Sequence, residues 1–259
     1  MVSAGDGILL AFRLRSLAPG VTIFDVQSPD STGYAPTNTE PQHPCQEEVA
    51  LEATELRVLV WTPEGSATQD TLPRPVMNRY IAAVDSAGVI STGHAALEMQ
   101  DIYISLYPAV DIDRSPSECF RTLRAALGNN LLGKFQDSHA LEFAAWCEAD
   151  RQVCFHTFNA VSLRAFATYY RRQEIYNLTW RNCSSSVAYA LEAALDGVLC
   201  NRSGWSVFFR LFLQPELWIA AQLRRRATTM AWTPGLVLDY SRALHGLVHP
   251  ARLNWFRKL

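Results

Sequence analysis

The stretch Tyr176-Asn-Leu-Thr-Trp-Arg-Asn-Cys183-Ser-Ser-Ser-Val-Ala-Tyr-Ala-Leu-Glu-Ala-Ala-Leu195 sets a cysteine at the head of a helical pattern. Val187, Leu191 and Leu195 recur every four residues, and Ala188, Ala190, Ala193 and Ala194 are small, strong helix formers. The spacing predicts a buried helix after Cys183, with Asn182 or Ser184 as its cap. First-turn N–H groups lack intrahelical partners and the helix dipole favours an anion there, so a thiol at this end gains thiolate character. Cys183 is therefore read as a nucleophile. A free cysteine is more often a small buried hydrophobe than a catalyst, so the reading needs a base. Gly93-His94-Ala-Ala-Leu-Glu-Met-Gln-Asp-Ile-Tyr-Ile-Ser-Leu-Tyr-Pro108 supplies one, with a histidine opening an alternating, strand-like run.

Within that run, His94–Met99 and Ile102–Leu106 flank Gln100-Asp101 and read as a hairpin with a tight turn. Ala95, Leu97 and Met99 share one face, and His94, Ala96 and Glu98 the other. On the second strand Ile102, Ile104 and Leu106 oppose Tyr103, Ser105 and Tyr107. The polar face thus puts Glu98 and Ser105 nearest His94 as orienting groups, although a plain solvent-facing sheet surface has the same pattern.

The 259 residues fit one domain with extensions or two small domains, and 49% hydrophobic against 19% charged residues is a globular composition. A net charge of −2 gives no global basic footprint, so nucleic acid is not expected as a partner. Cys45, Cys119, Cys147, Cys154, Cys183 and Cys200 form no CxxC pair and no zinc spacing. Reduced thiols, no metal, no cofactor and a cytoplasmic setting are the expectation. His139 and His156 have no matched motif. His245 and His249, four apart, suit a metal by spacing, but no carboxylate or cysteine completes a site.

Along the chain, residues 1–50 join an apolar run, Gly7–Phe12, to a proline-rich linker, and Gly7–Phe12 is too short to span a membrane. It reads as an apolar anchor or as the tail of a span. Leu56–Trp61 is a strand stopped by Thr62-Pro-Glu-Gly65, and a short helix is expected within Val76–Asp85. Ser115-Pro-Ser-Glu118 opens a helix running to Leu127. Leu141–Ala149 is helix or strand, which periodicity does not decide. Gln152–Phe158 reads as a strand and Ser162–Glu174 as a helix. Three helices, Ser203–Phe212, Pro215–Ala231 and Pro234–His245, are expected to make a C-terminal extension over 201–259. The second carries Arg224-Arg-Arg226, a solvated face by preference and a membrane-surface patch by alternative, so both termini stay open as membrane-associating segments.

Histidine first, on a strand, then Asn-Cys at a helix start resembles the circularly permuted papain-like superfamily of cysteine enzymes, which includes permuted NlpC-type amidases, PPPDE isopeptidase-like proteins and lecithin:retinol acyltransferase. The resemblance covers roughly residues 56–199 and rests on Gly93-His94, Tyr103-Ile-Ser105 and Tyr176-Asn177 with Asn182-Cys183. The combination also resembles a domain attached in some bacterial proteins to an HdeD-like membrane segment. The implied fold is α+β, a permuted papain-like domain over 51–200 with an antiparallel sheet. The resemblance implies Cys183 as nucleophile and His94 as base in a thiol hydrolase of peptidase or amidase type, or in an acyltransferase using the same pair. A binding module with a silent, buried Cys183 is the non-enzymatic alternative. The third catalytic member is Ser105 or Tyr103 by position, with Glu98, Asp111 or Asp113 in reserve. Asn182, Tyr176 and Tyr103 are the expected substrate-binding residues. Tyr107, Tyr176 and Trp180 suit a lipid-accepting pocket or an aromatic core equally.

Overall fold

In the computed structural model of this protein, residues 55–110, 112, 121, 126–198 and 232–249 are described. The expected linker over 1–50, most of the helix at Ser115–Leu127 and the helices at Ser203–Phe212 and Pro215–Ala231 lie outside them.

The apolar run of β1 (Leu56–Trp61) becomes an inner strand, since it can bury both faces. After it come α1 (Pro75–Tyr80), β2 (Ala83–Val84), β3 (Ile90–Ser91), β4 (His94–Met99), β5 (Ile102–Ile104), β6 (Leu106–Pro108), β7 (Leu131–Phe135), α2 (His139–Ala145), β8 (Arg151–Phe155), α3 (Ala160–Arg171), β9 (Ile175–Tyr176), α4 (Cys183–Ala194) and α5 (Pro234–Val248). The architecture is α+β. One antiparallel sheet runs β5-β4-β1-β8, a second β6-β7-β9, and β2 pairs with β3 alone.

The hairpin forms as alternation predicts, with Leu97 opposite Ile104 and Met99 opposite Ile102. It departs from expectation after Ile104. Ser105 breaks the strand, and the chain passes to the second sheet, where Leu106 pairs with Phe135 and Tyr107 with Lys134. β7 and β9, which the sequence pattern did not reveal, close that sheet through Leu131 against Tyr176. Gly133 lets them approach, because a Cβ there would stand 3.0 Å from the carbonyl carbon of Ile175.

One face of the larger sheet carries Val58, Val60, Ala95, Leu97, Ile104, Val153 and Phe155 into a core shared with α3, α4 and α5. The small residues of α4 let it lie within that core, buried along nearly its whole length. α5 is no appendage: Val237, Leu238, Leu244 and Leu247 belong to the same core, and the Arg79–Asp239 ion pair at 2.8 Å ties the helix to α1. The other face holds Leu59, Trp61, Ala96 and Tyr103, with Cys147 and Ala149 packed on it. The face read as polar is thus buried.

Capping decides several boundaries. Ser138 accepts from the Leu141 N–H and starts α2, resolving the undecided segment as helix. Asn159 accepts from the Ser162 N–H, so α3 begins before the predicted Ser162 and ends at Arg171, and the preceding strand stops at Phe155. The helix expected within Val76–Asp85 is shorter, with β2 taking its second half. Among the described residues no helix is long and apolar enough to cross a membrane.

Candidate active site

The approach to Cys183 is held by its own backbone. Asn177 and Arg181 exchange N–H···O bonds at 3.0 Å in each direction. The buried Arg181 guanidinium stacks on Tyr170 at 3.7 Å and donates to the carbonyls of Ile175, Tyr170 and Gln173. Asn182 then caps α4 in a reciprocal box: its side chain accepts from the Ser185 N–H at 2.8 Å, and its own N–H donates to Ser185 Oγ at 2.9 Å. Its amide Nδ2 also donates to the carbonyls of Leu178 and Trp232, both at 2.9 Å. Cys183 is the first helical residue, half-buried and reduced.

Opposite it, β4 begins with His94, only 3% exposed. The preceding Gly93 has φ of 69°, and a Cβ there would meet the Trp61 carbonyl oxygen at 2.3 Å, so the turn that aims His94 requires glycine. His94 Nε2 lies 2.8 Å from Ser105 Oγ and 3.1 Å from Glu142 Oε1. An ionised carboxylate only accepts, so Nε2 carries a hydrogen and Nδ1 is the nitrogen left for the sulfur. The imidazole stacks on Tyr107 with centroids 4.1 Å apart and planes at 14°. Trp61 stands at 5.6 Å on the neighbouring strand, itself stacked on the half-exposed Trp146.

Burial opposes charge on His94, but the Cys183 thiolate, through charge and a side-chain hydrogen bond, and the Glu142 carboxylate outweigh it and push the imidazole up to about 9. Burial likewise opposes a thiolate at Cys183. The His94 charge and hydrogen bond, with contributions from the Ser184 hydroxyl and the Ala95 N–H, hold it below the ordinary thiol range. Each group thus favours the charged form of the other. The other described cysteines go the opposite way: burial and then Asp150 push Cys147 up, and burial and then Glu55 push Cys154 up.

Of the expected site residues, Cys183, His94 and Ser105 come together. Glu98 does not join them; it pairs with Arg57 across the strands at 2.6 Å and faces His139 at 3.8 Å. Asn182 is occupied as cap and tether, and Tyr176 is buried in β9, where it pairs with Leu131. Tyr103 turns its hydroxyl to Glu142. Asp111 and Asp113 lie outside the described residues. Trp180 is half-buried in the loop before Cys183.

Glu142 is the member that sequence reasoning missed. It is 2% exposed, and its carboxylate accepts from Tyr103, Tyr107 and His94. Burial alone would raise its pKa; the hydrogen bond and charge of His94 and the two phenol bonds lower it to about 2. A lone acid in the apolar run Ala140-Leu-Glu-Phe-Ala144 was the available signal. Burial there inverts hydropathy, since Leu141 and Phe143 are each 53% exposed.

Two surface cavities, of about 420 and 250 Å³, lie away from Cys183, along β7 and α3 and beside Asp101. Among the described residues no cluster of His, Cys, Asp or Glu has an arrangement that could hold a metal ion. His245 and His249 stand with ring centroids 4.7 Å apart, and His249 Nε2 accepts from the His156 N–H at 3.3 Å. No protein-family model, no curated protein and no solved structure matches this chain.

Proposed function

We propose that the chain is a thiol-dependent hydrolase of amide, peptide or thioester bonds, built on a circularly permuted papain-like domain, with Cys183 as nucleophile and His94 as proton shuttle. The observation that carries this reading is the buried His94 beside a helix-start thiol, with the imidazole pKa moved up and the thiol pKa moved down. A structural cysteine gains nothing from such a neighbour, whereas a nucleophile needs it. The order of His94 and Cys183, on a strand and at a helix start, supports the permuted arrangement. A peptide, amide or acyl compound is the corresponding substrate class, and a reducing, cytoplasmic setting suits the free thiol.

In the first half-reaction the Cys183 thiolate attacks the acyl carbon, forming a C–S bond and an oxyanion. The first-turn N–H groups of Cys183 and Ser184, which intrahelical bonding leaves over, donate to that oxyanion. The tetrahedral species collapses as the bond to the leaving group breaks and His94 gives its Nδ1 proton to the departing amine or thiolate. In the second half-reaction His94 takes a proton from water, the hydroxide adds to the thioester, and the C–S bond breaks to release the acid and the thiolate.

Competitive alkylation tests the reading. With limiting iodoacetamide near neutral pH, peptide mapping is expected to find Cys183 modified ahead of Cys147 and Cys154, whose thiols are held protonated. Modification of Cys147 or Cys154 with Cys183 untouched in folded protein overturns the assignment.

A further inference from the structure

We propose that Glu142 is the positioning residue of the Cys183–His94 pair, a carboxylate brought from α2 and locked by the phenols of Tyr103 and Tyr107 so that it holds His94 Nε2–H away from the sulfur. The inference rests on the thiol-enzyme reading above and adds the member that the strand positions do not supply.

Three observations carry it. First, both carboxylate oxygens are occupied: Tyr103 donates to Oε2, and Tyr107 and His94 Nε2 converge on Oε1. A buried carboxylate without such partners would be neutralised, so two phenols aimed at one acid keep it ionised where His94 meets it. Second, α2 presents Leu141 and Phe143 outward at 53% exposure and Glu142 inward at 2%. Hydropathy alone would turn the helix the other way, so its rotation is set by the acid and by Trp146 stacked on Trp61. Third, the Tyr107 ring lies parallel to the imidazole at 4.1 Å, fixing its plane, while the Nε2 bonds to Glu142 and Ser105 fix its rotation within that plane. With Nε2–H so committed, Nδ1 is the ring nitrogen left to exchange a proton with Cys183.

The charge of Glu142 favours imidazolium, so its removal lowers the pH at which His94 loses its proton. It does not favour the thiolate directly, so the low-pH onset of reactivity moves little. The titratable groups that face the pair are Glu142 from α2, Tyr107 from β6 and Tyr170 from α3, with Tyr103 from β5 bonded to Glu142; Glu98 of β4 is turned to Arg57 and His139 instead.

The test is the rate of Cys183 alkylation by iodoacetate across pH in the full chain, followed by peptide mapping. The anionic reagent is drawn to imidazolium, so the rate falls at high pH as His94 deprotonates. In the native chain that fall is expected near His94's pKa of about 9. In Glu142→Gln it is expected about one unit lower, with the low-pH rise nearly in place, and Glu142→Asp, which keeps the charge but shortens the reach, is expected to fall between. Glu142→Asp carries the same test should the glutamine variant not fold. A lowered melting temperature with the high-pH limb unmoved in either variant makes Glu142 a structural tether and overturns the proposal. A native chain in which Cys183 reacts no faster than Cys147 overturns the thiol-enzyme reading itself and this inference with it.

Discussion

At the scale of the residue, the helix start alone does not make Cys183 a thiolate. Burial works against the charge, and it is His94, with Ser184 and the Ala95 N–H, that reverses the balance. His94→Ala should therefore slow alkylation of Cys183 at neutral pH by about tenfold or more, as the thiol loses the partner that lowers its pKa. Because His94 is buried and bonded to Glu142 and Ser105, the substitution should also cost about 1–3 kcal/mol, the penalty of stranding hydrogen-bonding groups. Stopped-flow alkylation together with chemical denaturation checks both; unchanged thiol reactivity alongside lost stability would make His94 structural. Cys183, His94 and Ser105 were legible because each follows from local spacing. Glu142 was not, because a charged residue in an apolar run reads as the solvent side, and only contacts from Tyr103 and Tyr107 reverse that.

At the scale of the element, the site depends on two short devices flanking its helix and its strand. Asn182 caps α4 and ties it to Leu178 and Trp232. Asn182→Ala should cost about 1–2 kcal/mol for the cap alone, and more as the Trp232 carbonyl loses its donor. Gly93 turns the chain into β4 with φ of 69°. Gly93→Ala should destabilise by more than about 1 kcal/mol, since the left-handed turn and the Trp61 carbonyl both exclude a Cβ, and it should lower Cys183 reactivity by displacing His94. Urea denaturation gives the first quantity and alkylation the second; a variant with native stability would show that the turn tolerates a side chain. Periodicity announced β1, the turn of the hairpin, α3, α4 and α5, because the apolar run or face of each is regular within the element itself. It could not announce β6, β7 and β9, whose pairing joins Leu106 to Phe135 and Leu131 to Tyr176, partners far apart in the chain that no local pattern marks.

At the scale of the whole molecule, these ionisations link stability to pH. Glu142 has its folded pKa lowered from 4.5 to about 2, so it adds stability that is fully present above about pH 4.5 and lost as pH falls through about 2. The contribution is on the order of 3 kcal/mol near neutrality. The difference in unfolding free energy between the native chain and Glu142→Gln should shrink across that window in urea titrations; a constant difference would mean that ionisation of Glu142 is not what stabilises the fold. His94, raised from 6.5 to about 9, contributes stability present below 6.5 and lost as pH rises through 9. Cys183, lowered from 9.0, contributes in the opposite direction, present above 9.0 and lost as pH falls through its folded value. The two contributions therefore change with pH in opposite directions and partly offset each other. The most direct test of covalent catalysis by this pair is intact mass after mixing the chain with an acyl thioester. The expected result is a single acyl adduct, mapped to Cys183, that forms in the native chain, is absent from Cys183→Ala, is strongly reduced in His94→Ala, and decays in water with release of the free acid. An adduct that persists in water and clears only on addition of an amine would replace hydrolysis by acyl transfer, and acylation at another residue, or none at all, would contradict the assignment of Cys183 as nucleophile.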